Sequence, residues 1–150
     1  MSDLLYSKDV LRLAAEAKGA GRLSHTDGTY AEHNPACGDR ATVDLRVENG
    51  RVAAMAHDTK ACVLAQASAS ILGAGLQGCT LADVKALRTQ IVDMLKGSAP
   101  PKEPFGRYGA LNEAASFPSR HRCVLLPVDA AIKAFEASQA AKPPGQGAKD

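Results

Sequence analysis

The sequence predicts an α+β fold in which a small antiparallel β-sheet packs against several α-helices. Two observations carry that reading. An alternating run ahead of Asn49-Gly50 and a second strand after it describe a β-hairpin, and stretches with apolar residues three and four apart lie before and after the pair. The order is helix, antiparallel unit, then helices, without the strand–helix–strand repeat of an α/β protein.

The first helix spans 8–18, with Ser7 as its cap, Val10, Leu11, Ala14 and Ala17 at helical spacing, and Gly19 and Gly21 at its end. The Gly-, His-, Asn- and Pro-rich residues 20–39 read as an ordered loop with room for a short strand over 29–33. Loops of that length usually serve a function. Val43, Leu45 and Val47 alternate with Thr42, Asp44 and Arg46, which makes 41–47 a strand with one apolar face. Asn49-Gly50 tolerates the positive dihedrals of a tight turn, and a second strand runs from Arg51 towards His57. Residues 62–77 are apolar nearly all round, as in a buried helix, and Gly78 stops them. Thr80 and Asp83 form an imperfect capping box for a helix that carries Val84, Leu87, Ile91 and Leu95 on one face, closed by Gly97. Three prolines make 98–107 a linker or excursion, followed by a short helix over 108–115. Ser119 opens the final helix, with Leu125, Leu126, Ile132 and Phe135 facing the core and Pro127 either bending it or marking a later start.

One domain over 1–139 accommodates these elements, and the polar, Pro- and Gly-rich residues 140–150 read as a disordered tail. The net charge is +2, from 18 basic and 16 acidic residues, with no long block of like charge. Neither nucleic acid nor a membrane is implied as a partner. The longest apolar stretch, 62–76, is interrupted by Gln66, Ser68 and Ser70 and lacks the length and flanks of a transmembrane span. The first residues lack the basic-then-apolar order of a secretory signal, which points to the cytoplasm. In a reducing compartment the four cysteines suit metal binding, reactive thiols or small buried side chains better than disulfides.

Three cysteines sit at the edges of predicted elements: Cys37 in the long loop, Cys62 where strand gives way to helix, and Cys123 in the first turns of the last helix. No paired CxxC knuckle exists, so spacing alone leaves Cys62 and Cys123 equally readable as ordinary buried thiols. Cys37-Gly38-Asp39 is more pointed. A glycine between a thiol and a carboxylate lets the backbone turn so that both reach one ion.

The segments Asn34-Pro35-Ala36-Cys37-Gly38-Asp39, Cys62-Val63-Leu64-Ala65-Gln66-Ala67-Ser68-Ala69-Ser70 and Pro118-Ser119-Arg120-His121-Arg122-Cys123 resemble the three signatures of the IscU/SufU-like (NifU N-terminal) superfamily. The resemblance runs from about Leu5 to Phe135. The insertion containing residues 98–117, and Arg120 three residues before Cys123, are similar to the SufU branch. IscU-type members carry a histidine directly before the third cysteine and a Leu-Pro-Pro-Val-Lys chaperone-binding segment upstream. This chain has Arg122 and Ala-Ser-Phe-Pro-Ser there. The resemblance implies Cys37, Asp39, Cys62 and Cys123 as ligands of one zinc ion. It implies a zinc-dependent sulfur acceptor, a possible sulfurtransferase, that serves a SufS-like cysteine desulfurase and passes sulfur to downstream iron–sulfur cluster assembly proteins. The alternative it carries is a scaffold on which an iron–sulfur cluster forms at the same cysteines. A purely structural zinc module is disfavoured, because such sites are normally closed by four Cys or His ligands.

Three thiolates and one carboxylate around a dication leave a local charge of about −2, and Arg40, Lys60, Arg120 and Arg122 are the sequence neighbours able to offset it. A helix start near Cys62 favours its thiolate. Cys37 is expected to receive the sulfur, since a thiol beside Gly38 leaves a metal at less conformational cost than one on a helix. His121 is a weak ligand candidate, being two residues from Cys123. His33 reads as an outer partner of the site, His25 and His57 as surface or loop-packing residues, and Cys79 as a bystander.

Overall fold

The computed structural model describes residues 6–35 and 38–140. Cys37 and residues 141–150, on which the expected disordered tail falls, lie outside the described residues. In chain order the elements are α1 (Lys8–Glu16), β1 (Gly28–Asn34), β2 (Asp39–Glu48), β3 (Arg51–Lys60), α2 (Val63–Gly75), α3 (Leu81–Leu95), the 3-10 segments Gly106–Ser116 and Pro118–Arg120, and α4 (His121–Ala140). The strands form an antiparallel sheet in the order β1-β2-β3. This is the expected α+β architecture. No helix among the described residues is long and apolar enough to cross a membrane.

The pleat of β2 sorts its residues between two faces. Ala41, Val43 and Leu45 are wholly buried on the face that α4 and α2 share as the core. Arg40, Thr42 and Asp44 leave the strand on the other face. Asn49 (φ 54°) and Gly50 (φ 76°) make the expected tight turn into β3.

The short strand expected over 29–33 within the long loop is present as an edge strand, β1, one residue longer at each end. Its α4-facing residues are not apolar, which hides the alternation. Lys133 lies 5.1 Å above the Tyr30 ring and also bonds Glu32 at 3.1 Å. Gly28 takes the third position, where a Cβ would run into the Ala134 carbonyl. The residues before β1 are tied down by Asp44, which alternation had placed towards solvent. Asp44 is fully buried and accepts from Arg22 (2.6 and 3.1 Å), Thr29 (2.6 Å) and the Leu23 amide (3.1 Å). Although burial opposes it, this set of donors, led by Arg22, holds the carboxyl below its usual pKa.

Ser7 caps α1 by accepting from the Val10 amide at 3.3 Å, and the helix ends two residues short of the expected Lys18, with Ala17 left-handed at φ 46°. The chain then crosses α2 at closest approach. A Cβ on Gly73 would strike the Lys18 carbonyl, and one on Gly19 would lie 3.0 Å from the Gly73 Cα. Gly73→Ala is therefore expected to lower the unfolding free energy by about 1–3 kcal/mol. Urea denaturation measures it, and unchanged stability would show that the crossing is loose.

The Thr80–Asp83 box is complete, with reciprocal bonds of 3.0 and 3.1 Å. The insertion departs from expectation. Residues 98–107 are not a loose linker, since Pro101 and Phe105 are buried, and 108–115 belongs to a 3-10 helix rather than an α-helix. Tyr108, Leu111 and Ala114 recur every three residues, the period of a 3-10 turn, and all three are buried. Tyr108 anchors the segment through its hydroxyl, 2.7 Å from Ser68 Oγ on α2. Ser119 does not cap the last helix. It sits within the short 3-10 turn that feeds α4, which continues through Pro127. Pro127 lacks the amide that would reach the Cys123 carbonyl four residues back.

Candidate metal centre

Two helix starts converge on the first residue of β2. Cys62 is the residue before α2, with extended backbone (φ −65°, ψ 167°). Cys123 is the third residue of α4 and is 2 % exposed. Asp39 opens β2 on the face shared with Ala41, directed towards those helices. A carboxylate oxygen of Asp39 and the two Sγ atoms all lie within 4.8 Å of one another. Asp39 Oδ2 accepts from the Cys62 amide at 3.3 Å and faces Cys123 Sγ at 3.9 Å. Ahead of Asp39, Gly38 is left-handed at φ +75° and its amide bonds the Asn34 carbonyl at 2.8 Å.

The surroundings favour negative charge on sulfur. Hydrogen bonding with Cys123 draws the Cys62 thiol down to about 6 against the opposing effect of burial, and the Leu64 and Ala65 amides at the start of α2 add to it. The Arg120 pKa is raised, first by Tyr6 and then, against burial, by a hydrogen bond with Cys123 and the charge on both cysteines.

Two sulfurs and a carboxylate oxygen suit a zinc-sized dication. Tetrahedral Zn–S bonds of about 2.3 Å set sulfur atoms about 3.8 Å apart. The three donors therefore stand within about 1 Å of a ligating arrangement. Cys37, two residues before Asp39 in the sequence, lies outside the described residues.

Of the sequence-derived counter-charges, only Arg120 is placed at the thiols. Arg40 and Lys60 are paired in register on adjacent strands and leave the sheet on the face away from Asp39, and Arg122 is exposed. His33 is paired with Arg40 and shares that outer face, so it is not an outer partner of the site. His121 is outside the donor group and lies 3.3 Å from the Ala115 carbonyl. His57 packs a loop, with Nε2 at 2.8 Å from the Lys18 carbonyl and Nδ1 at 3.0 Å from the Thr59 hydroxyl. Cys79 is half-buried beyond α2, and burial raises its thiol pKa. Sequence reasoning missed Tyr6 beside Arg120, and no motif marks it.

The NifU-like N terminal domain model matches residues 5–117. The chain is similar to the iron-sulfur cluster assembly scaffold protein IscU of Thermotoga maritima, at 28 % identity over 82 % of this chain and 87 % of that one. It is also similar to the zinc-dependent sulfurtransferase SufU of Bacillus subtilis, at 25 % identity over 83 % and 84 %. Among solved structures, a nitrogen-fixing NifU-like protein (N-terminal) from Brucella abortus superposes with a TM-score of 0.88 at 29 % identity, covering 94 % of this chain and 99 % of that one.

Proposed function

Since the chain belongs to the NifU-like N-terminal domain family, we propose that it serves iron–sulfur cluster assembly as a zinc-dependent sulfur acceptor for a SufS-like cysteine desulfurase. The observation that carries this reading is the convergence of Asp39, Cys62 and Cys123 within 4.8 Å. Cys37 is the fourth ligand in the proposal. Bound zinc would keep the thiols deprotonated at neutral pH. The helix amides at Cys62 and the Arg120 charge do the same work from the protein side.

In the proposed transfer, the Cys37 thiolate attacks the outer sulfur of the desulfurase persulfide. A new S–S bond forms on Cys37 as the old one breaks, and the desulfurase cysteine leaves as a thiolate. The outer sulfur keeps its proton, so the exchange needs no external oxidant or reductant. Cys62 and Cys123 stay in place because each is fixed at a packed helix start. A second reading draws on the 28 % identity to a protein named as a scaffold: the same thiols would hold a nascent iron–sulfur cluster as cargo.

Asp39→Ala separates a ligand from a bystander. It leaves the cysteines and opens one coordination position, so zinc affinity is expected to fall by about 10-fold or more with the fold retained. Competition with a chromophoric chelator measures this. Wild-type affinity would remove Asp39 from the site.

A further inference from the structure

The outer face of the sheet carries a feature that metal binding does not use. His33, Arg40 and Lys60 are direct register partners on β1, β2 and β3, so they form one row across the sheet. The pleat puts all three on the face away from α4, because their neighbours Asn34, Ala41 and Thr59 belong to the core side. Adjacent strands lie about 4.8 Å apart, which makes this a compact cationic row. Like charges directly opposite on neighbouring strands destabilise a sheet. No carboxylate offsets them at close range: the side chains of Arg40, Lys60 and His33 form no hydrogen bond or ion pair among the described residues. The acid sharing this face one row inward, Asp58, is register partner of Thr42 and makes no ion pair with them. Of the Arg40 guanidinium nitrogens only Nε is both closed to solvent and without a hydrogen-bond partner, which leaves its two Nη groups as the donors that an anion on this face would meet.

We infer that the row His33–Arg40–Lys60 is an anion site for a phosphate group, on the opposite face of the sheet from the metal ligands. A guanidinium offers paired N–H donors matched to phosphate oxygens, Lys60 adds a point charge, and His33 adds a ring donor. Two permanent cations in register match a dianion better than a single carboxylate. The site goes beyond the sulfur-acceptor reading and stands whether or not that reading holds.

The test is a titration of the isotope-labelled full chain with inorganic phosphate, glycerol 3-phosphate and acetate at constant ionic strength, following the Arg40 Nε–H signal and the backbone amides of residues 33, 40 and 60. Both phosphates are expected to shift these signals saturably, and acetate to bind about 10-fold more weakly. Phosphate without glycerol 3-phosphate would assign the row to free phosphate, and both together to phosphate esters as well. Arg40→Gln is expected to weaken phosphate binding by about 10-fold. Lys60→Gln, at an exposed position where folding is not at risk, is expected to weaken it several-fold. Acetate binding as tight as phosphate, or phosphate titrations unchanged in both variants, would overturn the inference.

Discussion

Replacing Cys37 with serine is expected to abolish persulfide acceptance from a cysteine desulfurase, because a serine hydroxyl neither ionises at neutral pH nor forms a persulfide. Cys62→Ser and Cys123→Ser are expected to impair metal binding first. Each removes a thiol from the group gathered at Asp39, and Cys123 is buried where a serine hydroxyl finds a poorer environment. The readout is the site of sulfur after desulfurase and cysteine are mixed with this protein without reductant, mapped by peptide mass. Sulfur found mainly on Cys123, or undiminished transfer in Cys37→Ser, would assign the acceptor elsewhere.

Stripping the metal is expected to lower the melting temperature by about 10 °C. A ligand present at about 1,000 times its dissociation constant stabilises the folded state by about 4 kcal/mol. For a chain of this size each kcal/mol is worth about 2–4 °C. The effect arises because Asp39, Cys62 and Cys123 come from three separate segments, which one bound ion would tie together. Thermal scans with and without a chelator measure it, followed by zinc add-back. An unchanged melting temperature would show that no structural energy is stored in the site.

Much of the fold is legible where local chemistry and packing agree. Asn49-Gly50 makes its turn, Thr80 and Asp83 complete their box, and Val43 and Leu45 mark the buried face of β2. The reading falters where a second partner decides. β1 is legible only as a short strand over 29–33, because the residues it turns to α4, Gly28, Tyr30 and Glu32, show no apolar alternation until Ala134 and Lys133 are set against them. Tyr108, Leu111 and Ala114 follow a period of three, which an expectation of α-helix overlooks. Asp44 is polar but buried, because Arg22 and Thr29 come from a distant segment to satisfy it.

The site shows the same division. Cys62, Cys123 and Asp39 stand at element boundaries that the sequence marks, and the structure brings them together. The counter-charges do not follow from the sequence, since closeness in sequence is not closeness in space on a strand. Arg40 adjoins Asp39 along the chain, yet the pleat sends the two side chains to opposite faces. Arg120, one turn before Cys123 in the approach to α4, is the cation that reaches the thiols.

The central claim is that the thiols at Asp39 hold zinc, and the measurement closest to it is the metal content of freshly purified protein together with its absorbance spectrum. One zinc per chain with no visible absorption is the predicted result. Iron and sulfide with absorption in the visible range, or protein with no bound metal and full sulfur-accepting activity, would contradict it.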